Sequence, residues 1–309
     1  MTTKKVKVKP ITLYFYRCST RVGREMVNGV RSNVRNGIGP DQIFNDSRIQ
    51  MQHLKIRDEL MQGVMRRFDS ENLPSVGRID DQDEQPINME ENQYLTKKTH
   101  FLYDMSQGFL LYEQKAVSLN AFSSYVNVFI KATVKFEFVL TKRAIELLAN
   151  KTLRVKSMAF KIARPTIDIL AKVSETGLWW ISSIAKAVAE TNTNSLDLVM
   201  SGSDVRYRNK RIYLWSGVWD TISSLVGYLR SDLGDKGVVE LYDEDGVHHP
   251  LDLITDRMKV VVSSEELQPA MKVVGNKTYI DSPKFLKIMK AKMEEARPQL
   301  EEMFDEEDD

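Results

Sequence analysis

The chain is poor in cysteine, and Cys18 is the only one among 309 residues. A disulfide within the chain and a metal site built from cysteine pairs are therefore both excluded. Isolated thiols are typical of proteins from reducing compartments, so we expect a cytoplasmic protein.

Long apolar runs are missing too. No segment approaches the ~20 apolar residues that a membrane-spanning helix requires. The basic N-terminus, MTTKKVKVKP, is not followed by the apolar stretch of a secretory signal. We expect any association with a membrane to come through a partner protein, without direct insertion.

Several catalytic motifs are also absent. The sequence has no Gly-rich phosphate loop, no Gly-x-Ser-x-Gly elbow and no cysteine–histidine pairing. One turn gathers potential metal ligands, but its glycine stands at the wrong offset for an EF-hand loop, and we favour a charged hairpin tip over a metal site. Its members are Asp243, Glu244, Asp245, His248, His249 and Asp252.

Charge is unevenly distributed although the formal net charge is only +1. Residues 1–36 carry nine lysines and arginines against one acid, and residues 131–172 carry ten against three. Residues 294–309 carry nine acids against one arginine. Basic faces and an acidic tail on one chain predict a polyanion-binding surface with its own competitor. The alternative is a tail that only keeps the chain in solution, or one that recruits partners.

The segment 99–130 carries the clearest local pattern. Two apolar runs, at 100–103 and 108–112, flank the polar turn Asp104-Met105-Ser106-Gln107-Gly108 and predict a β-hairpin. Apolar residues at helical spacing predict a short helix directly afterwards. These residues are Leu119, Phe122, Val126 and Phe129.

Other patterns predict the remaining elements. Apolar spacing in 48–68 indicates an amphipathic helix, and the acidic segment 70–98 indicates a long loop or a flap over a basic groove. Pro250 places its strand at a sheet edge, and Ser282 with Pro283 starts a final helix. Predicted strands are 11–16, 132–140, 153–162, 195–200, 238–242, 247–253 and 258–262; predicted helices are 143–150, 166–173, 178–191, 215–229 and 283–304.

Strands and helices alternate without regular βαβ spacing, which predicts the α+β class. We expect two lobes of mixed sheets with short helices, a C-terminal helix and a disordered acidic tail. The predicted division is an N-terminal lobe at 1–98 with the acidic loop 70–98, a hairpin–helix connector at 99–130, a basic lobe at 131–281, and the helix and tail at 282–309.

The hairpin holds a candidate catalytic set. Asp104, then Glu113 and Lys115, resembles the core of PD-(D/E)xK nucleases, in which two carboxylates hold Mg²⁺ or Mn²⁺ and a lysine activates water. A turn aspartate and an exposed strand pair explain the same residues without catalysis. We favour no catalytic residue, no metal and no cofactor, and keep the nuclease as the alternative.

The basic stretch carries the stronger indication. Rows of lysine and arginine neutralise phosphates without reading base sequence, which favours DNA or possible RNA binding over a solvated face. Trp179, Trp180, Trp215 and Trp219 are expected in the core or at a subunit interface rather than in base stacking. The candidate nucleic-acid-binding residues are Lys135, Lys142, Arg143, Lys151, Arg154, Lys156, Lys161, Arg164, Arg206, Arg208, Lys210 and Arg211.

The hairpin and helix, with residues 100–103, 108–114, 118–119 and 125–126, resemble a loose group of prokaryotic and phage exclusion and defence proteins. The group includes the phage-exclusion protein RexA and, more distantly, KwaB of the Kiwa system. The resemblance spans residues 95–265. It implies a cytoplasmic, oligomeric, DNA-binding protein of phage defence that works with a membrane partner from the same operon.

Three hypotheses follow. The first is a non-enzymatic, largely sequence-nonspecific DNA-binding protein of anti-phage defence, acting as a homo-oligomer with a partner protein. The second is the metal-dependent nuclease. The third is a structural or adaptor protein whose acidic tail recruits a partner.

Overall fold

The structure is a computed structural model. It describes residues 9–44, 47–69, 75–77, 84–86, 95–163, 195–202, 204–205, 210–211, 213–214, 217–228, 234–274 and 277–304. The chain divides into two compact units. Unit 1 comprises Met1–Phe136 and Lys259–Asp309, and unit 2 comprises Glu137–Met258. The sequence division placed 131–281 in one lobe and 282–309 apart, whereas the structure groups 259–309 with the N-terminal residues.

The elements confirm the α+β class. Unit 1 begins with β1 (Ile11–Arg17), α1 (Thr20–Asn33), β2 (Gln42–Phe44), β3 (Ser47–Arg57), β4 (Leu60–Asp69), β5 (Ser75–Gly77), β6 (Glu84–Pro86), β7 (Leu95–Asp104), β8 (Phe109–Tyr112) and α2 (Leu119–Asn127). Unit 2 contains β9 (Glu137–Phe138), α3 (Lys142–Ala149), β10 (Arg154–Ala163), β11 (Ser195–Ser201), β12 (Asp204–Val205), β13 (Lys210–Arg211), α4 (Val218–Tyr228), β14 (Gly234–Tyr242) and β15 (His248–Asp252). Unit 1 ends with β16 (Lys259–Val262), α5 (Ser264–Leu267), β17 (Met271–Val274), β18 (Lys277–Ile280) and α6 (Ser282–Phe304).

The main sheet of unit 1 is antiparallel, with the strand order β16-β1-β8-β7-β4-β3-β2. The predicted hairpin forms its centre, where β7 pairs with β8 and Asp104 lies opposite Phe109. The second half of β7 and all of β8 are buried on both faces, so helices must cover the sheet on both sides. The hairpin and the helix after it are thus confirmed, and they lie in the core.

Alternation along β7 divides the core into two layers. On one face, the ring centroid of Phe101 lies 5.0 Å from that of Phe122 on α2, and Tyr103 packs on Phe136. On the other face, the ring centroid of His100 lies 4.8 Å from that of Phe285 on α6. Consequently the even-numbered residues of β7 face the C-terminal helix, and this layer contains the candidate site.

The predicted helix at 48–68 is wrong, because this segment forms the β3–β4 hairpin. Asp58 and Glu59 adopt φ values of 48° and 61°, which suit a tight hairpin turn. A bulge between Gln52 and Lys55 shifts the alternation within β3. Burial therefore moves from odd to even positions, and this shift imitates helical spacing.

Three further boundaries differ from the predictions. The predicted strand 132–140 is reduced to β9, since the residues before it form irregular backbone. The polar segment 19–38, in which Gly23, Gly29 and Gly37 make a helix uncertain from the sequence, contains α1 at residues 20–33. The final helix includes Ser282 itself, and Asp281 accepts the backbone N–H of Lys284 at 3.3 Å, so Asp281 rather than Ser282 caps it.

Glu266 links α5 to α6 and predicts an acid-dependent contact. Its carboxylate completes a capping box with Ser263 and lies 2.7 Å from Nζ of Lys292. Hydrogen bonds from Lys292 and then Ser263 lower the pKa of Glu266 from 4.5 to about 2. Because the folded-state pKa is depressed, the contact stabilises the protein above about pH 4.5 and is lost as the pH falls towards 2.

We therefore expect Glu266→Gln to melt at a lower temperature than the unaltered chain at pH 6, and the gap to close as the pH falls towards 2. Thermal unfolding followed by far-UV circular dichroism at several pH values measures the gap. Glu265→Gln, in the same helical turn, is the control and should show no such closure. A gap that stays constant over this pH range would contradict the assigned contact.

Unit 2 is built on an antiparallel sheet in the order β11-β10-β14-β15, with β15 at the edge as Pro250 predicts. A bulge between Val155 and Ser157 shifts the alternation of β10. The buried residues of this segment are accordingly Leu153, Val155, Met158 and Phe160. The alternation of apolar residues in 153–162 predicts these four residues and Ile162 as the inward set. The four are confirmed, and the side chain of Ile162 lies outside the described part.

Some predictions fall on residues outside the described part of the chain. These are the helices at 166–173 and 178–191, most of the acidic segment 70–98, Trp179, Trp180 and Trp215, and the tail at 305–309. Trp219 is described and is 6 % exposed on α4, which confirms a core position for it. Among the described residues, no helix has the length and apolar character needed to cross a membrane.

Candidate functional site

Asp104 joins the hairpin to the C-terminal helix. The carboxylate is buried, and it accepts the backbone N–H of Ser106 at 2.9 Å and the guanidinium of Arg297 at 2.7 Å. Both oxygens therefore have partners within the fold. This geometry supports the structural interpretation of the turn aspartate.

Glu113 lies at the opposite end of the same hairpin. Its backbone N–H donates to the carbonyl of His100, which is four residues along β7 from Asp104. At about 3.3 Å per residue, the two carboxylates are separated by roughly 13 Å along the strand. The structure brings Lys115 to 3.7 Å from Glu113 but leaves Asp104 apart, so the three nuclease candidates do not form one metal site. Within the described ranges, no three His, Cys, Asp or Glu side chains are grouped as metal ligands.

A buried hydrogen-bonded chain links Glu113 to the start of α6 through His100. Oε2 of Glu113 lies 2.6 Å from Nδ1 of His100 and accepts its backbone N–H at 3.1 Å. Nε2 of His100 lies 3.0 Å from Oγ of Ser282. All three side chains are at most 3 % exposed. We call this set the buried relay.

The buried relay has the residue types of a Ser-His-Glu catalytic triad, but its order in space is unfavourable for that chemistry. A serine nucleophile must reach the substrate. Here His100 and Glu113 border a pocket, whereas Ser282 is not among the lining residues. The relay therefore acts as a polar connection that fixes α6 to the sheet.

The pocket beside the relay has a volume of about 900 Å³ and lies entirely within unit 1. It is bordered by the start of β1, by β7, by the segment after β8 and by the β17–β18 hairpin. Its lysines are Lys9, Lys97, Lys98 and Lys115, and its aromatic residues are Tyr14 and Tyr279. We call it the lysine pocket.

Lys98 is the most enclosed of these lysines. Burial lowers its pKa, the Arg66 guanidinium lowers it further, and Asp281 opposes both effects. The carboxylate of Asp281 also forms an ion pair with Nζ of Lys272 at 2.6 Å, and this pair anchors the β17–β18 hairpin beside the helix. An added anion would therefore relieve the repulsion between Lys98 and Arg66.

Unit 2 carries a second arrangement on the outward face of its sheet. Arg154, Tyr242 and His248 lie opposite one another on β10, β14 and β15. The rings of Tyr242 and His248 stack at 4.8 Å with an interplanar angle of 25°. The ring centroid of Tyr213 lies 6.1 Å from that of Tyr242. The guanidinium carbon of Arg154 lies 5.6 Å from the ring centroid of Tyr213. We call these four residues the stacked row.

A cleft of about 520 Å³ adjoins the stacked row. Arg154 and Tyr213 line it together with Lys151, Trp219 and Asp220. Lys151, Arg154 and His248 are exposed, and both tyrosines are partly exposed. The row and cleft therefore offer cations and aromatic rings to a common surface.

The other predicted basic residues are scattered. Lys135 belongs to unit 1, and Lys142 and Arg143 begin α3, where Arg143 donates to the carbonyl of Pro250 at 3.1 Å. Lys156 donates to the carbonyl of Gly202 at 2.8 Å. Lys210 and Arg211 form β13, whereas Arg164, Arg206 and Arg208 lie outside the described residues.

Acidic residues also lie on the sheet of unit 2. Asp197 lies opposite Lys161 on β11, and Glu240 accepts the hydroxyl of Ser157 at 2.7 Å. At the hairpin tip, Asp243 lies 3.1 Å from Nε2 of His249, which supports the charged-tip interpretation. Among the described residues of unit 2, exposed cations lie beside the stacked row, at Lys151 and Arg154, and on α3, at Lys142 and Arg143.

The lysine pocket and the buried relay are not predicted by any pattern in the sequence. His100 and Ser282 are separated by 182 positions, and no local pattern connects them. Lys97 and Lys98 lie at the end of the segment 70–98, whose acidic residues predict a loop or a flap and give no indication of a basic pocket. The available signal was the polar His100 inside an apolar strand, which indicates a buried partner.

Comparison with protein-family models and with curated proteins found no match for this chain.

Proposed function

We propose that this protein binds single-stranded or otherwise flexible nucleic acid, largely without sequence preference, on the stacked row of unit 2. The carrying observation is the alignment of Arg154, Tyr213, Tyr242 and His248 across one sheet face. Bases stack on aromatic rings and on guanidinium planes, and every base has a suitable face.

Charge near the row supports the same proposal. Lys151 and Arg154 flank the cleft, and cations in this position neutralise phosphates as the strand passes. Exposed Lys142 and Arg143 on α3 add positive charge within the same unit. The acidic hairpin tip limits the surface on the other side, which favours a short binding site over an extended duplex track.

The alternatives have less support. A PD-(D/E)xK-like nuclease requires Asp104 near Glu113, and the hairpin register separates them. An adaptor role leaves the aromatic residues of the row without a function. The wider role in cytoplasmic anti-phage defence, as an oligomer with an operon partner, rests on the resemblance of residues 95–265 alone.

We expect Tyr242→Ala to weaken binding of a fluorescent oligothymidylate by roughly 5- to 150-fold, because one stacked base contributes about 1–3 kcal/mol. Tyr242→Phe keeps the ring and should bind like the unaltered chain. Fluorescence anisotropy at a fixed salt concentration measures both. All four tryptophans lie in unit 2, so their fluorescence reports whether each variant is folded.

Salt dependence gives a second readout of the same surface. Removing one phosphate contact with Arg154→Ala should reduce the slope of log K against log salt by about 0.7 for a single strand. Lys287→Ala, an exposed lysine on α6 of unit 1, is the charge-matched control. Unchanged affinity in a folded Tyr242→Ala variant, or a flat salt dependence of the unaltered chain, would overturn the proposal.

A further inference from the structure

The lysine pocket of unit 1 is a second site, separate from the stacked row. We infer that it binds a phosphorylated nucleoside, with its lysines holding the phosphates and its aromatic and apolar walls holding the base. The ligand can be a free nucleotide or the phosphorylated end of a nucleic acid strand, which present the same chemistry.

The charge balance of the lining is the first argument. Lys9, Lys98 and Lys115 line the pocket, and Glu113 is the one carboxylate among its described lining residues. Oε2 of Glu113 is already used by His100, and Oε1 faces Lys115 at 3.7 Å. The lysines of this lining therefore outnumber its described carboxylate, and Lys98 also lies beside the Arg66 guanidinium, so several phosphate oxygens would supply a favourable counter-charge.

Size and shape are the second argument. A volume of about 900 Å³ is at the upper end of pockets for small ligands and exceeds what phosphate alone would fill. Tyr14 and Tyr279 contribute aromatic side chains to the lining, and Tyr279 is 45 % exposed on its hairpin. The apolar part of the wall is formed by Pro10, Ile11, Ala116, Met271 and Ile280.

Rigidity of the floor is the third argument. His100 and Glu113 border the pocket while the buried relay fixes both of them. The Lys272–Asp281 ion pair fixes the hairpin wall at 2.6 Å. A ligand would therefore meet lysines whose supporting backbone is already in place, which reduces the entropic cost of binding.

Isothermal titration of the full chain with ATP, AMP, adenosine and inorganic tripolyphosphate, without divalent cations, tests the inference. We expect affinity to fall from ATP to AMP, with adenosine far weaker because it lacks phosphate. Tripolyphosphate should bind at least about tenfold more weakly than ATP, because it leaves the walls empty. Tripolyphosphate binding as tight as ATP binding would overturn the nucleoside assignment, and no binding of ATP would overturn the site.

Variants locate the binding. Lys98→Ala should weaken ATP binding about tenfold or more, since a charge-assisted hydrogen bond is lost. Tyr279→Ala changes an exposed residue and should weaken ATP but leave tripolyphosphate unchanged. Lys287→Ala should change neither. ATP affinity that is unaltered in both folded pocket variants would overturn the inference.

The source of the ligand is decided in the Tyr242→Ala background, where the stacked row is impaired. Oligothymidylate with a 5′-phosphate that binds there more tightly than its 5′-hydroxyl form, and is displaced by ATP, assigns a strand end. ATP binding without such discrimination assigns a free nucleotide. Either result stands if the stacked row proves not to bind nucleic acid, because the two sites use different residues in different units.

Discussion

Replacing Glu113 with alanine is expected to destabilise unit 1 by about 3–5 kcal/mol. The carboxylate is 3 % exposed and accepts two hydrogen bonds from His100, at 3.1 Å from its backbone N–H and at 2.6 Å from Nδ1. Without it, two buried donors in the centre of β7 lose their acceptor, and each unsatisfied group costs about 1–3 kcal/mol. The volume of the side chain is left as a cavity beside them.

Urea unfolding followed by far-UV circular dichroism, with hydrogen exchange of the β7 and β8 amides, measures this loss. The stability of Glu113→Gln should lie between that of the unaltered chain and that of Glu113→Ala, because the amide oxygen of glutamine still accepts one hydrogen bond. Glu25→Ala removes an exposed glutamate from α1 and should change stability by less than about 0.5 kcal/mol. A loss below 1 kcal/mol for Glu113→Ala would mean that His100 finds another acceptor.

The elements that were predictable are those whose signals are local. Two apolar runs around a polar turn predict the central hairpin. The Asp245-Gly246 pair predicts the turn between β14 and β15. The inward residues of β10 were predicted across its bulge because the apolar side chains themselves shift there. Each of these signals spans about ten residues, and the burial that it reflects is decided within that span.

The failures have a common physical cause. In β3 the bulge near His53, whose φ is 53°, moves the inward set by one position and makes a strand resemble a helix. The relay between His100 and Ser282, and the lysine pocket above it, arise only when the chain returns after unit 2. Contacts of this range are set by tertiary packing, and neither the spacing nor the composition of either segment contains them.

Replacing Gly108 with alanine is expected to cost unit 1 about 3–5 kcal/mol, more than backbone strain alone would cause. Gly108 has a φ of 77°, where a Cβ costs about 1–2 kcal/mol, and an added Cβ would also lie 2.3 Å from the carbonyl oxygen of Cys18. That carbonyl cannot easily move away, because the N–H of Cys18 donates to the carbonyl of Gly108 at 3.0 Å.

Gly246 provides the matched control in unit 2: its φ is 79°, but an added Cβ meets nothing within 4 Å. The loss of stability in Gly246→Ala, followed by tryptophan fluorescence, should therefore reflect backbone strain alone. The loss in Gly108→Ala, followed by hydrogen exchange of the β8 amides, should reflect strain and steric clash together. Equal losses in the two variants would mean that the β1–β8 junction yields by several tenths of an ångström, and that the close approach of these strands is not a fixed feature of the sheet.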